Sequence, residues 1–180
     1  MLPPAVNIDR AHGFTLVELI ATIAILAIAA IGISSALAFA MRHQADSMTD
    51  AKVVALVQAY SDEIMAKRYD ENTPLGGLPA CSTATTPCSS AAAFDDGETR
   101  ADYDDVDDFD GLDDAPPRQL DGTPLTDYAS YRVQVNVRYP TPAQASTLGV
   151  ASSTDAKIVD IVVSDGSGSQ QTFSVVRANF

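Results

Sequence analysis

The chain has 180 residues, with 24 acidic against 11 basic side chains and a formal net charge of −13. That acidity removes the attraction to phosphate on which sequence-independent nucleic-acid binding rests, so no nucleic-acid partner is expected. Two cysteines exclude a disulfide-dense scaffold and a four-thiolate zinc site, and the two histidines, His12 and His43, flank an apolar run rather than forming a catalytic centre.

From Phe14 to Met41 only Glu18 carries a charge. As a helix these residues reach about 42 Å at 1.5 Å per residue. That exceeds the roughly 20 residues a bilayer span needs. Ala, Ile and Leu dominate, no proline interrupts, and Gly32 is the one weak helix former. Apolar residues cover every face, as in a lipid-embedded helix. A buried core helix is the alternative, although a chain of this size rarely encloses one so long. A secretory signal peptide is another, because Ala36-Leu37-Ala38 and Ala38-Phe39-Ala40 have the small residues of a cleavage site. Glu18 opposes that reading: a carboxylate within a span costs about 2.5–3.5 kcal/mol and calls for a partner. Before the run, Arg10 is offset by Asp9, so the positive-inside rule gives only slight support for a cytoplasmic N-terminus.

Cleavage between Gly13 and Phe14 would create an α-amino group one helical turn from Glu18. That amine could pair with the Glu18 carboxylate of a neighbouring chain, where low dielectric strengthens the attraction. The alternative is a glutamate that snorkels to lipid headgroups. The octet Gly13-Phe14-Thr15-Leu16-Val17-Glu18-Leu19-Ile20, followed by an apolar helix, resembles the N-terminal motif of type IV prepilins and type II secretion pseudopilins. The resemblance implies that residues 1–13 are a leader, removed after Gly13 by a prepilin peptidase, and that Phe14 is then N-methylated. It also implies that Glu18 sets subunit register during assembly. The implied course is residence as a single-pass inner-membrane protein with a periplasmic head, in contact with lipid, and then incorporation into an extracellular pilus beside other pilin subunits. The helix-breaking proline of many major pilins is missing here; Gly32 and the Ser34-Ser35 pair are the only loosening residues.

Beyond the span, Val53, Leu56, Val57, Tyr60 and Ile64 fall at helical spacing, with Asp50, Lys52, Asp62, Glu63 and Lys67 mostly elsewhere. This predicts an amphipathic segment over 42–68 with one buried stripe, continuous with the membrane helix of 14–41. Pro74, Gly76, Gly77 and Pro79 end regular structure. Cys81 and Cys88 then suggest a disulfide in an oxidising compartment, with two free thiols or half of a metal site as alternatives.

Phe94 to Tyr128 holds thirteen acidic residues and two basic ones. Tyr103, Val106, Phe109 and Leu112 recur every three residues within it, which argues against a wholly disordered tail. Two readings follow. One is a calcium-stabilised loop drawing on Asp102, Asp104, Asp105, Asp107, Asp108 and Asp110. The other is a solvated acidic loop, the commoner fate of a charge run. An EF-hand does not fit, since Asp108-Phe109-Asp110-Gly111 would place Val106 and Pro117 at ligand positions. No other cofactor is suggested.

The last third reads as sheet. Tyr131, Val133, Val135, Val137 and Tyr139 alternate with Arg132, Gln134, Asn136 and Arg138, the pattern of a half-buried strand. Pro140 and Pro142 end it. Lys157–Ser164 and Gln170–Arg177 give two more strands around the turn Asp165-Gly166-Ser167-Gly168. The expected organisation is α+β: a leader (1–13), a transmembrane helix (14–41), an amphipathic helix (42–68), a disulfide-containing and acidic loop region (69–126) and an antiparallel sheet (127–180) packed on the helical spine, a pilin-like arrangement.

Further stretches resemble the MshD-type minor pilins of the mannose-sensitive haemagglutinin (MSHA) pilus system. They are Asp62 to Asn72, the Pro/Gly turn before Cys81, Asp104 to Gly111, and the terminal Arg177-Ala178-Asn179-Phe180. This implies a low-abundance subunit serving pilus biogenesis or adhesion. A type II secretion minor pseudopilin and a calcium-dependent binding module are the alternatives. An enzyme is not expected: acids in a run are not a catalytic pair, and Gly76-Gly77 lacks the phosphate-loop pattern.

Overall fold

A computed structural model describes residues 15–82, 86–94 and 97–179, with only the backbone of residues 45 and 46. Helix α1 (Leu16–Met65) crosses the boundary between two compact units, Met1–Ser47 and Met48–Phe180.

In the first unit the helix is apolar and exposed on all sides, long and apolar enough to cross a membrane. Three of its hydroxyls are satisfied along their own helix. Thr22 Oγ1 donates to the Glu18 carbonyl at 2.7 Å, Ser34 Oγ to Ala30 at 2.8 Å and Ser35 Oγ to Ile31 at 2.6 Å. Hydroxyls that bond back one turn present no unpaired group to an apolar surrounding.

The second unit is the head. The stripe Val53, Leu56, Val57, Tyr60 and Ile64 is buried, in one core with Val133, Val135 and Val137 and with Val159, Ile161 and Val163. The sheet is four antiparallel strands in chain order: β1 (Asp113–Asp114), β2 (Arg132–Arg138), β3 (Ala156–Ser164) and β4 (Gln170–Ala178). Register is set by Val135 opposite Ile161 and Ile161 opposite Phe173. Its inward valines and isoleucines therefore stack across the strands on one face. At the β3–β4 turn Asp165 Oδ1 accepts from the backbone of Ser167 and Ser169 at 2.8 and 3.0 Å, and Gly168 takes φ +85°.

Three features depart from the sequence expectation. The helix ends at Met65 rather than Arg68, because the acidic loop takes the Arg68 backbone. Arg68 N donates to Asp104 O and Val106 N to Arg68 O, each at 3.1 Å. The sheet draws its first strand from Asp113–Asp114, inside the acidic region and outside 127–180. Between β2 and β3 lies a short helix, α2 (Pro142–Leu148), where only a break was expected. Thr141 and Gln144 form a reciprocal capping box, Pro142 opens the first turn, and Gly149 closes it at φ +74°. Those residues are the standard start and stop signals.

Cys81 and Cys88 are joined in a disulfide. Asn179 Nδ2 donates to Cys81 O at 2.9 Å, which ties this loop to the chain beyond β4. Closing a loop this short contributes about 2–3 kcal/mol in the chain-entropy account.

Candidate functional site

Gly13 and Phe14 lie outside the described residues. Glu18 sits in the first turn of α1, exposed, with its backbone N–H donating to Thr15 Oγ1 at 3.3 Å. A carboxylate there complements the positive end of the helix dipole. Among the described residues nothing pairs with its side chain, so it stands unpartnered on an apolar helix.

In the head, the acidic loop turns inward. Asp105, Asp107 and Asp108 are buried, and Val106 and Phe109 of the same segment are fully enclosed. Val106 and Phe109 carry the aspartates in with them, and the loop satisfies much of their demand itself. Asp108 Oδ2 accepts from the backbone N–H of Asp104 and Asp105 at 2.7 and 2.9 Å, and Asp105 Oδ1 from that of Asp107 at 2.6 Å. Asp110 Oδ1 accepts from Val137 N at 2.8 Å and Asn136 Nδ2 at 3.1 Å, which fastens the loop to β2. Asp104 pairs with Arg68, and Thr99 Oγ1 donates to Asp102. Of the six aspartates singled out as calcium ligands, Asp104 and Asp105 are brought together, with Glu71, so that one oxygen of each lies within 4.8 Å of the others. Asp102, Asp107, Asp108 and Asp110 stand outside that group.

Burial pushes the Asp105 carboxyl up to about 6, and the neighbouring Asp108 charge adds to it; the Asp107 N–H and Lys157 pull the other way. An unfolded aspartate titrates near about 3.9. Between about 4 and 6 the folded state therefore holds more protons than the unfolded one, and stability falls as pH rises through that window. The unfavourable contribution is complete above about 6 and on the order of 2–3 kcal/mol. The expected result is a higher Tm at pH 5 than at pH 7.5 for the full chain in detergent. Asp105→Asn, which keeps an oxygen for the Asp107 N–H, should raise Tm at pH 7.5 and flatten the profile. An unchanged profile in that variant would remove Asp105 as its source.

The sequence reading missed a further group. Lys157, the second residue of β3, is fully buried. Its Nζ donates to Tyr69 O at 2.7 Å and Asp70 Oδ2 at 3.0 Å, and lies 2.5 Å from Asp107 Oδ1. The rings of Tyr69, Phe94 and Tyr139 stand 4.4, 5.1 and 5.8 Å from it. Asp70 is otherwise saturated by the backbone of Asn72 and Ser89 and by Ser89 Oγ. Burial acts to raise its carboxyl, but Lys157 and these donors outweigh it and hold it below the ordinary value. Asp107 differs: beyond the Lys157 contact, neither oxygen has a hydrogen-bond partner among the described residues. Burial pushes its carboxyl up to about 7 against the pull of Lys157. Lys157 shares the β3 face of Val159, Ile161 and Val163, and that phase was the signal available in the sequence.

Residues 8–34 match the prokaryotic N-terminal methylation motif. The match supports a type IV prepilin or pseudopilin, and with the apolar helix it fits membrane anchoring of a pilin. No curated protein and no solved structure gives a match.

Proposed function

We propose that this chain is a minor pilin, a structural subunit of an MSHA-like type IV pilus that serves pilus biogenesis or adhesion. A prepilin peptidase removes residues 1–13 and Phe14 is N-methylated. The mature chain waits in the inner membrane with its head in the periplasm and then enters the filament through its N-terminal helix. Its role is mechanical rather than catalytic. The observation that carries this reading is the methylation motif over residues 8–34, set on a helix whose apolar surface is exposed on all sides.

Such a helix has two ways to cover its surface, lipid or the helices of other subunits. Head-to-tail repetition of one contact that does not close gives a helical filament. The test is fractionation of cells that carry the assembly machinery. A minor pilin is expected in sheared surface filaments, at far lower amount than the major subunit. Retention in the envelope together with secretion-system components would instead make it a type II secretion pseudopilin.

A further inference from the structure

We propose that Lys157 and Asp107 are joined by an intramolecular isopeptide bond, an amide between Lys157 Nζ and the Asp107 side-chain carbonyl carbon, with Asp70 as the proton carrier. Three observations converge. The nucleophile is fully buried and held at 2.5 Å from one Asp107 oxygen. The Tyr69 carbonyl and Asp70 fix its direction, and three aromatic rings surround it. The two carboxylates are unequal: Asp70 is saturated with donors, whereas Asp107 is buried with Lys157 as its one polar partner among the described residues.

That inequality assigns the roles. An ammonium is not a nucleophile and a carboxylate is a poor electrophile, so the pair must first become neutral. Transfer of one proton from Nζ to Asp107 Oδ1 does this without any outside group, and leaves the amine lone pair directed at the acid. The transfer reduces three buried charges in a water-poor, aromatic-lined site to one, the Asp70 carboxylate, which Asn72 and Ser89 continue to hold. The raised Asp107 carboxyl is consistent with it.

Nζ bonds to Cγ of Asp107 as the carbonyl π pair moves to oxygen. Asp70 carboxylate takes the proton from the now cationic nitrogen and returns it to the departing hydroxyl. The C–O bond breaks and one water leaves. Asp70 ends as it began, and no oxidant or activating co-reactant is needed. Holding the reactants in contact supplies the effective concentration that amide formation otherwise lacks in water. The product ties β3 to the turn Asp107–Phe109 of the acidic loop, a covalent strut inside the head.

The test is the intact mass of the full chain purified in detergent, followed by tryptic mapping. The expected mass is lower by one water than the sequence and its disulfide require. Trypsin should not cut at acylated Lys157, so residues 139–177 should be recovered linked to residues 101–118. The full mass, with the free peptide ending at Lys157, overturns the proposal. A link from Lys157 into residues 69–100 overturns the choice of Asp107 as electrophile. Two folded variants, checked by circular dichroism, complete the test. Lys157→Arg keeps the charge and should retain the full mass; water loss that persists there is succinimide formation at an Asp–Gly step and contradicts the proposal. Asp70→Asn should also retain the full mass, and water loss in it removes Asp70 from the reaction.

Discussion

Glu18→Leu is expected to leave the mature chain in the membrane and to cut its recovery in sheared filaments at least tenfold. Two effects act in the same direction. In lipid, an unpaired carboxylate costs about 2.5–3.5 kcal/mol, and leucine removes that cost, so the membrane-resident state gains. In the proposed filament, Glu18 faces the Phe14 amine of a neighbour, and leucine removes that attraction. Each 1.4 kcal/mol lost from the transfer is a factor of about ten in the equilibrium. The exposed carboxylate on an apolar helix, without a partner among the described residues, is what makes the position sensitive. The ratio of filament to envelope fractions measures the effect. A Glu18→Leu chain that enters filaments at the parental level would show that register is set elsewhere.

Arg100→Met should destabilise the head by about 3–5 kcal/mol, the usual result of stranding buried charges. Arg100 bridges Glu63 and Asp114, with Nη2 2.9 Å from Glu63 Oε2 and Nη1 2.9 Å from Asp114 Oδ2. Tyr60 Oη donates to the same Asp114 oxygen at 2.6 Å, and Arg118 N donates to Tyr60 Oη at 2.9 Å. The guanidinium lies 5.2 Å from the Tyr60 ring centre. Burial already raises the Glu63 carboxyl, and Arg100 is the main influence opposing it. Without Arg100, two carboxylates remain in the interior, and the Glu63 carboxyl, already raised by burial, loses its main opposing charge, so the loss should be larger at pH 8 than at pH 5, where Glu63 is more readily protonated. Arg132→Met is the contrast. Its partner Asp113 and Arg132 itself are both substantially exposed, and such pairs contribute about 0.2–1 kcal/mol. Urea unfolding of the full chain in detergent measures both. Equal losses would mean that burial does not set the difference.

Most of the architecture was legible because period and composition agree along it. The stripe from Val53 to Ile64 and the alternation from Tyr131 to Val137 are core faces in the structure. Where pattern and structure part, the phase of a residue outweighs its type. Lys157 stands in register with Val159, Ile161 and Val163, and a period of two places it inside regardless of charge. Its enclosure depends on Asp70 and Asp107, which are distant in sequence, so pattern alone could not supply the partners. A solvated face is the commoner fate of an acidic run. Instead Val106 and Phe109 pull Asp105, Asp107 and Asp108 inward, where backbone N–H groups and Lys157 meet them. Pro142 both ends strand β2's run and opens helix α2, since proline at a first turn starts a helix as readily as it ends a strand. Glu18 was legible because a lone charge in an apolar run is conspicuous, whereas Arg100 and Glu63 look like ordinary surface charges until the fold brings them to Asp114.

The processing at Gly13 and Phe14 is the claim on which the filament reading depends, and the mass of the mature N-terminus tests it directly. The chain is co-expressed with a prepilin peptidase, extracted from membranes and sequenced by mass spectrometry. The account predicts a first residue of N-methylated Phe14, with Glu18 and the whole apolar helix retained. A chain that begins near Phe39 or Met41 would contradict it, because the helix and its carboxylate would be gone and only a soluble periplasmic head would remain.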